Sequence, residues 1–338
     1  MTFSIRRGLL AAAVLALAST ALFGQVAVAK KTYKEPRLTV STQRLAAALH
    51  CPVPLVRGKG KQPLMLVTGT GYTGAEAYAI GSAALKTLGR PICYVDFPYR
   101  TTGDIQISTQ YLVYGLRTMA QRAGRPIAVF GISQGALLPR IALTYWPSLG
   151  KKVTDVIAVA GTQHGTTLIG ECSAAKPCVP AAWQQRAGSK LLKAVNSQRD
   201  ESPGPTAWTT VRTATDETVQ PQTGSNPTSS LKGASNILIQ SVCPGRKTGH
   251  IGSALDSVTF AAALDALGHK GPAKVKRFPK NVCASLLAPG LSSSAKAAGA
   301  FVPDPQTTAP AVPAEPRVQK WLSYQLPASL FVPFDSSF

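Results

Sequence analysis

Short apolar runs alternate with amphipathic stretches along most of the chain. Between the runs, apolar positions recur at helical spacing and predict helices over Ile105–Ala123, Leu137–Trp146 and Ala254–Leu267. Apolar strands that alternate with helices are typical of a parallel sheet covered on both faces. The pattern predicts an α/β fold with a mostly parallel central sheet and helices on both faces. The runs that predict strands are Leu64–Thr68, Ile92–Asp96, Ile127–Gly131, Val153–Ala160, Ala207–Ala214 and Asn236–Val242.

The N-terminus has the pattern of a secretory signal peptide. Arg6 and Arg7 precede an apolar run, Leu9–Phe23, and Ala27–Ala29 offers small residues for cleavage. The run is shorter than the ~18–20 residues that span a bilayer. We therefore expect residues 1–29 to be a signal peptide and the protein to be secreted, by either the Sec or the twin-arginine route.

The remainder of the chain, residues 30–338, is long enough for one large domain with a substantial core. One segment departs from the general composition. Residues 302–316 are rich in proline, which forbids regular strand pairing and predicts an extended strap. We expect a single catalytic domain that carries this strap near its C-terminus.

All six cysteines follow the predicted signal peptide. An even number of cysteines in an exported protein predicts three disulfides, with several connectivities open. No Cys-x-x-Cys occurs, and none of the four histidines is spaced as a zinc pair with the cysteines, so we expect no metal site. The cysteines are Cys51, Cys93, Cys172, Cys178, Cys243 and Cys283.

The chain is strongly basic, with 36 Lys and Arg against 15 Asp and Glu and a formal net charge of +21. Such a charge favours contact with anionic surfaces such as a cell envelope or nucleic acid. The basic residues are scattered along the sequence, however, and no nucleic-acid module or aromatic-interleaved basic motif occurs. We expect a strongly cationic surface on a monomer that is not transmembrane and binds no specific nucleic acid.

A nucleophile motif follows the third predicted strand. In "RPIAVFGISQGALLPRIAL", the residues Gly131–Gly135 form G-x-S-x-G between an apolar run and a helical pattern. Glycines leave room where such a turn is tightest, so Ser133 can adopt a strained conformation with its hydroxyl exposed at the sheet edge. An incidental serine in a glycine-rich turn is the alternative. The strand before and the helix after favour the nucleophile.

The predicted nucleophile needs a histidine to take its proton. Hydrolases of this kind carry their triad in the order Ser, acid, His, and only His164, His250 and His269 follow the serine. His164 precedes any strand that could supply the acid. His269 comes directly after Gly268 at the end of a predicted helix, which is typical of a C-terminal cap. His250, in a loop after the last predicted strand, is the candidate base.

The acid is expected at the end of the preceding strand. In "AWTTVRTATDETVQPQ", Asp216 follows a β-branched run, and Glu217 is its close rival. A carboxylate there would hold the imidazole in the correct tautomer. An ordinary turn aspartate is the alternative. The order of the three residues, each after its own predicted strand, favours a triad.

The glycine-rich loop Gly69–Gly74 has two interpretations. With Asp96 about 20 residues further on, it fits a dinucleotide-binding G-x-G-x-x-G and hence a nicotinamide-dependent oxidoreductase. As the loop after an early strand of a hydrolase, it would instead supply oxyanion donors from Thr70, beside the backbone N–H of Gln134. An exported, disulfide-bearing protein has little access to a nicotinamide cofactor, which favours the oxyanion hole.

Five segments, taken together, resemble a known family. "LVTGTGYTG", "GISQGAL", "AAWQQRAGSKL", "TATDETVQPQ" and "GHIGSAL" occur in order between about residues 51 and 300. They are similar to the Candida antarctica lipase B family of α/β-hydrolases and its bacterial members. The resemblance implies an α/β-hydrolase fold. It also implies Ser133 as nucleophile, Asp216 as acid and His250 as base, with Thr70 and Gln134 as the oxyanion hole.

The same resemblance implies several finer features. It places Gln185 near the acyl pocket and pairs Cys51 with Cys93, Cys243 with Cys283, and therefore Cys172 with Cys178. The family carries a tryptophan just before its serine, whereas this chain has Ile132, which implies a wider alcohol-side pocket. The C-terminal part diverges after about residue 300.

These observations predict a secreted carboxylic ester hydrolase, a lipase or esterase that works through an acyl-enzyme. Its expected substrate is an apolar ester, taken from solution or from a lipid or envelope surface, and no cofactor is required. An acyltransferase or polyester hydrolase on the same triad is the alternative within this chemistry. The nicotinamide-dependent oxidoreductase is the alternative from another class.

Overall fold

The computed structural model describes residues 1, 33–292, 307–324 and 326. The chain divides into two compact units, Met1–Tyr33 and Lys34–Phe338. Apart from Met1, the predicted signal peptide lies outside the described residues, as does the first part of the predicted strap, residues 302–306. The second unit is described below.

The sheet has seven strands in the order β1-β3-β2-β4-β5-β6-β7. Every neighbouring pair is parallel except β1 and β3, which run antiparallel. The predicted mostly parallel sheet is therefore confirmed, and β1, only two residues long, is the strand that the apolar pattern did not predict. The strands are β1 Leu49–His50, β2 Leu64–Val67, β3 Ile92–Val95, β4 Ile127–Ile132, β5 Val153–Val159, β6 Ala207–Arg212 and β7 Ser235–Leu238.

The described residues form nine α-helices. The helix predicted over Ile105–Ala123 has those bounds, whereas the one predicted over Ala254–Leu267 is two helices separated at Asp256. The Asp256 side chain accepts a hydrogen bond from Val258 N at 2.8 Å and so begins the second of them. The helices are α1 Thr42–Ala47, α2 Gly74–Thr87, α3 Ile105–Ala123, α4 Gln134–Tyr145, α5 Pro180–Gln185, α6 Lys190–Asn196, α7 Ile239–Val242, α8 His250–Leu255 and α9 Ser257–Gly268.

The prediction of a strand over Asn236–Val242 is wrong for the second half of that segment. The strand ends at Leu238, and the remaining apolar residues form the helical turn α7, which buries Ile239. The Gln240 side chain donates to Arg246 O at 2.9 Å and thereby ties this turn to the loop that follows. An apolar run without polar interruptions does not reveal by its period where a strand becomes a helix.

Helices cover both faces of the sheet. Leu64 and Leu66 of β2 belong to the core cluster that contains residues of α2 and α9. Met65, between them, points to the opposite face because successive strand residues alternate. There it meets α3, where a Cβ on Gly115 would lie 3.2 Å from Met65 Cε. The sheet is therefore packed between α2 and α9 on one face and α3 on the other.

Three disulfides cross-link the chain, one of them through Cys93 of β3. They join Cys51 to Cys93, Cys172 to Cys178, and Cys243 to Cys283, which are the pairs that the family resemblance implies. None of the described helices is both long enough and apolar enough to span a bilayer. Nowhere in the described ranges do three His, Cys, Asp or Glu side chains gather as a metal ion would need.

Candidate active site

Ser133 occupies a strained turn between β4 and α4. Its φ of 56° and ψ of −123° lie in a region that costs a non-glycine residue about 1–3 kcal/mol. A Cβ on Gly131 would lie 2.2 Å from Gly135 O, and a Cβ on Gly135 would lie 2.2 Å from Val67 O. Both glycines are therefore required for the turn. Ser133 N donates to Val159 O at 2.8 Å, which fixes the turn to β5.

Asp216 and His250 form a buried pair. Asp216 follows β6, and His250 is the first residue of α8, after the loop beyond β7. His250 Nδ1 lies 2.8 Å from Asp216 Oδ2. The other carboxylate oxygen of Asp216 accepts from the backbone N–H groups of Thr218 and Val219 at 2.8 and 2.7 Å. The orientation of the carboxylate toward the imidazole is thus fixed from both sides.

Glu217, the rival acid, contacts a different part of the same histidine. Its Oε2 accepts from the backbone N–H of His250 at 2.9 Å, rather than from the ring. The approach is close enough that a Cβ on Gly249 would lie 2.4 Å from that oxygen. Of the two neighbouring carboxylates, Asp216 is the one that can orient the imidazole, and Glu217 instead holds the backbone at the start of α8.

Four polar side chains form a hydrogen-bonded network beside Ser133. Thr70 Oγ1 donates to Gln134 Oε1 at 2.7 Å. Gln185 Nε2 donates to Thr70 Oγ1 at 2.9 Å, and its Oε1 accepts from Thr162 Oγ1 at 3.1 Å. The structure thus brings together the three residues that the sequence singled out. Thr162, just past the end of β5, was missed because nothing in its local sequence distinguishes it from any loop threonine.

Two backbone N–H groups beside this network are free to bind an anion. Gln134 is the first residue of α4, so its N–H lies outside the hydrogen bonds of the helix itself. Thr70 N donates no hydrogen bond to any acceptor in the described part of the chain. Close approach is possible because Gly69 lacks a side chain: a Cβ there would lie 3.0 Å from Ser133 Cβ.

Arg100 and Thr101 clamp the glycine-rich loop in place. Arg100 Nε donates to Gly71 O at 3.0 Å, and its guanidinium binds both carboxylate oxygens of Glu76 at 2.8–2.9 Å. Thr101 Oγ1 donates to Gly69 O at 2.6 Å. Arg100 and Thr101 have φ values of 50° and 61°, so the segment that holds the loop is itself strained. Burial raises the pKa of Glu76, but the hydrogen bond from Thr73 N and the contacts with Arg100 outweigh it, so the pKa lies below its usual value.

The dinucleotide interpretation of this loop finds little support in its contacts. Asp96 Oδ1 accepts from Ala75 N at 3.1 Å, and Asp96 Oδ2 lies 3.3 Å from His50 Nε2, so this carboxylate is occupied by its own neighbours. A Cβ on Gly74 would lie 2.6 Å from Val95 O, which explains this glycine by the packing of α2 on β3.

A cavity of about 550 Å³ opens at this end of the sheet, and its wall is mostly apolar. Ser133, His250, Thr70 and Gln185 all contribute to the wall, and so does Ile132. Among the described residues no hydrogen bond joins Ser133 to His250, although both side chains face this one space. The volume is that of a pocket for a small organic molecule.

Tyr72 is a further polar residue on the cavity wall. Burial raises the pKa of its phenol, and the neighbouring carboxylate of Glu76 adds to the effect. The other two histidines that follow the serine lie elsewhere. His164 Nδ1 lies 3.1 Å from Thr228 O, and His269 Nδ1 lies 3.0 Å from Asp265 O at the end of α9.

The chain is similar to two lipases. Over 255 residues it is 32% identical to lipase B of Pseudozyma antarctica, in a match that covers 73% of this chain and 74% of that protein. The structure resembles that of Aspergillus fumigatus lipase B with a TM-score of 0.78 at 28% sequence identity, covering 88% of this chain and 76% of that one. No protein-family model matches the sequence.

Proposed function

Because the chain belongs to the lipase B family of α/β-hydrolases and is a carboxylic ester hydrolase, we propose that Ser133, His250 and Asp216 are its catalytic triad. The observation that carries this proposal is the 2.8 Å contact between His250 Nδ1 and Asp216 Oδ2. His250 lines the same cavity as the strained serine. Each of the three residues follows a different strand at the same edge of the sheet.

In the first half of the reaction, Ser133 Oγ attacks the carbonyl carbon of the ester and His250 Nε2 accepts its proton. Asp216 stabilises the imidazolium that results. The carbonyl oxygen becomes an oxyanion, which the backbone N–H groups of Thr70 and Gln134 bind. The Thr70 hydroxyl, which donates to Gln134 Oε1 in the free enzyme, turns to donate to the oxyanion as well. The bond to the alcohol oxygen then breaks, and His250 returns its proton to that oxygen. The alcohol leaves, and the acyl group stays on the serine.

In the second half, His250 removes a proton from a water molecule, whose oxygen attacks the acyl carbon. A second oxyanion forms in the same place, and its collapse transfers the proton to Ser133 Oγ and releases the carboxylic acid. Every proton that leaves a nucleophile is delivered to a leaving group, so the cycle needs no metal ion or organic cofactor. The apolar cavity wall would bind the hydrocarbon part of the ester.

The residue before the nucleophile is expected to affect alcohol selectivity. Ile132 ends β4 and lines the cavity beside Ser133. An isoleucine there fills less space than the tryptophan of the family pattern, so we propose a wider alcohol-side pocket. We also propose that the enzyme is exported, which agrees with its three disulfides.

The decisive experiment is covalent labelling by a fluorophosphonate, which reacts with serines activated in this way. We expect one equivalent of label on the peptide that contains Ser133, identified by mass spectrometry, and loss of ester hydrolysis in proportion to labelling. Protection by an apolar ester analogue would place the reaction in the cavity. Label on another residue, or full activity after complete labelling of Ser133, would contradict the triad.

Replacing Thr70 by valine should lower kcat by about 10²–10³-fold, because the hydroxyl that donates to the oxyanion is lost while the shape is kept. Thr70→Ser is the matched control, since it keeps the donor, and we expect it to retain most of the activity. Both are measured as kcat and KM on a short p-nitrophenyl ester. The proposed role would fail if valine and serine lowered kcat equally.

A further inference from the structure

The fold gathers basic residues that are scattered in the sequence. The segments that enter β2, β3, β4 and β5, together with the last turns of α2 and α3, carry nine Lys and Arg residues and no Asp or Glu. Because parallel strands begin at the same edge of a sheet, these residues lie along one edge of the molecule, which we call the basic edge. They are Arg57, Lys59 and Lys61 before β2, Lys86 and Arg90 before β3, Arg122 and Arg125 before β4, and Lys151 and Lys152 before β5.

Hydrogen bonds between these connections fix the basic edge as one continuous surface. The bonds join the segment before β2 to those before β3 and β4, and the start of β4 to the segment before β5. They run from Arg90 Nη1 to Gln62 O at 3.2 Å, from Lys61 Nζ to Leu88 O at 3.5 Å, from Gly58 N to Ala123 O at 2.8 Å and from Ile127 N to Lys152 O at 2.8 Å.

The charges of the basic edge are not paired in salt bridges within the described residues. In the described part of the chain, none of the nine side chains forms an ion pair with a carboxylate, whereas Arg100, Arg117, Arg246 and Arg277 elsewhere do. The carboxylate of Asp155 lies nearby but is buried, with Thr154 Oγ1 as its donor at 2.6 Å. Clustered like charges destabilise the folded chain by repulsion. An external anion would remove that cost.

Helix dipoles account for little of this clustering. Lys86 and Arg122 lie in the last turns of α2 and α3, where a cation interacts favourably with the negative helix end. The remaining seven residues of the basic edge lie in connecting segments outside the α-helices. Of these seven, Arg90 interacts with the buried carboxylate of Asp155, and the other six have no ion-pair partner in the described part of the chain, so their charges are available to a ligand outside the chain.

The basic edge and the cavity lie at opposite ends of the strands. Ser133 and Thr162 follow the C-terminal ends of β4 and β5, whereas the basic residues precede their N-terminal ends. At about 3.3 Å per residue, a strand the length of β5 separates the two by roughly 20 Å. A flat anionic bilayer bound to the basic edge would therefore face away from the cavity that takes the ester.

The side chains of the basic edge suit a flexible chain of anions better than a membrane. Lys59, Lys61 and Lys151 are exposed, so several cations can be contacted at once. The exposed apolar residues beside them are Val53 and Val56, and neither is an aromatic anchor of the kind that inserts into lipid. We propose that the basic edge binds a linear polyanion with closely spaced phosphate groups and holds the enzyme there with its cavity free.

Binding to immobilised long-chain inorganic polyphosphate tests this proposal. We expect the wild-type protein to bind at low salt and to dissociate as salt rises, because bound counterions are released. The variant Lys59→Glu/Lys151→Glu should bind about thirtyfold or more weakly, at about 1 kcal/mol per lost cation, with a salt slope lower by about 1.4. The matched control Lys190→Glu/Lys193→Glu changes two exposed lysines of α6 and should bind nearly as wild type does.

Three outcomes would overturn the proposal. Equal loss of binding in the two double variants would show that only net charge matters. If the wild type showed no salt-sensitive binding to polyphosphate, linear polyphosphates would be excluded as the ligand of the basic edge. Tighter binding to phosphatidylglycerol vesicles than to polyphosphate would assign the basic edge to a membrane instead. Ester turnover of both variants should equal that of the wild type, because neither pair touches the cavity.

Discussion

Substituting Ser133 by alanine is expected to lower kcat on a short p-nitrophenyl ester by about 10⁶-fold. The alanine removes the oxygen that forms the bond to the acyl carbon, so no acyl-enzyme can form. A residual rate of about 10³–10⁴-fold over water should remain, because the oxyanion donors at Thr70 and Gln134 and the apolar cavity are unchanged. The measurement is steady-state turnover together with loss of fluorophosphonate labelling.

The strained backbone of Ser133 provides a control on folding. Alanine has no easier access to a φ of 56° than serine has, so Ser133→Ala should unfold at nearly the same temperature as the wild type. Ser133→Gly should be equally inactive but more stable, by about 1 kcal/mol, since glycine adopts this conformation without strain. Activity within about tenfold of wild type in either variant would identify another nucleophile.

The sequence predicted those parts of the fold whose structure is determined by a single continuous segment. The buried strands are continuous apolar runs, so β2 to β6 could be located within one or two residues, and α3 has a clear amphipathic period. The nucleophile turn is also local, because Gly131 and Gly135 are needed within five residues of each other. The order of the serine, acid and histidine then narrowed the triad to a few candidates.

The features that escaped prediction depend on contacts between distant segments. Thr162 joins the oxyanion network only through Gln185 at the end of α5, which contacts both Thr162 and Thr70. The clamp of Arg100 and Thr101 on the glycine loop likewise links segments about 30 residues apart. The basic edge is the clearest case. Its residues are scattered in the sequence, and only the parallel order of the strands brings their charges together.

Replacing Asp216 by asparagine should lower kcat by about 10⁴-fold, because an amide can donate to His250 Nδ1 and so favour the wrong imidazole tautomer. Glu217→Gln is its matched control. The glutamine oxygen can still accept from the His250 backbone, so at most a hydrogen bond of about 0.5–1.5 kcal/mol is weakened and kcat should fall by less than about tenfold. Both are measured as kcat against pH, with thermal unfolding as the check on folding. If Glu217→Gln lost activity on that scale and Asp216→Asn stayed within about tenfold of the wild type, the acid would be Glu217, and the buried contact of Asp216 with the imidazole would be structural.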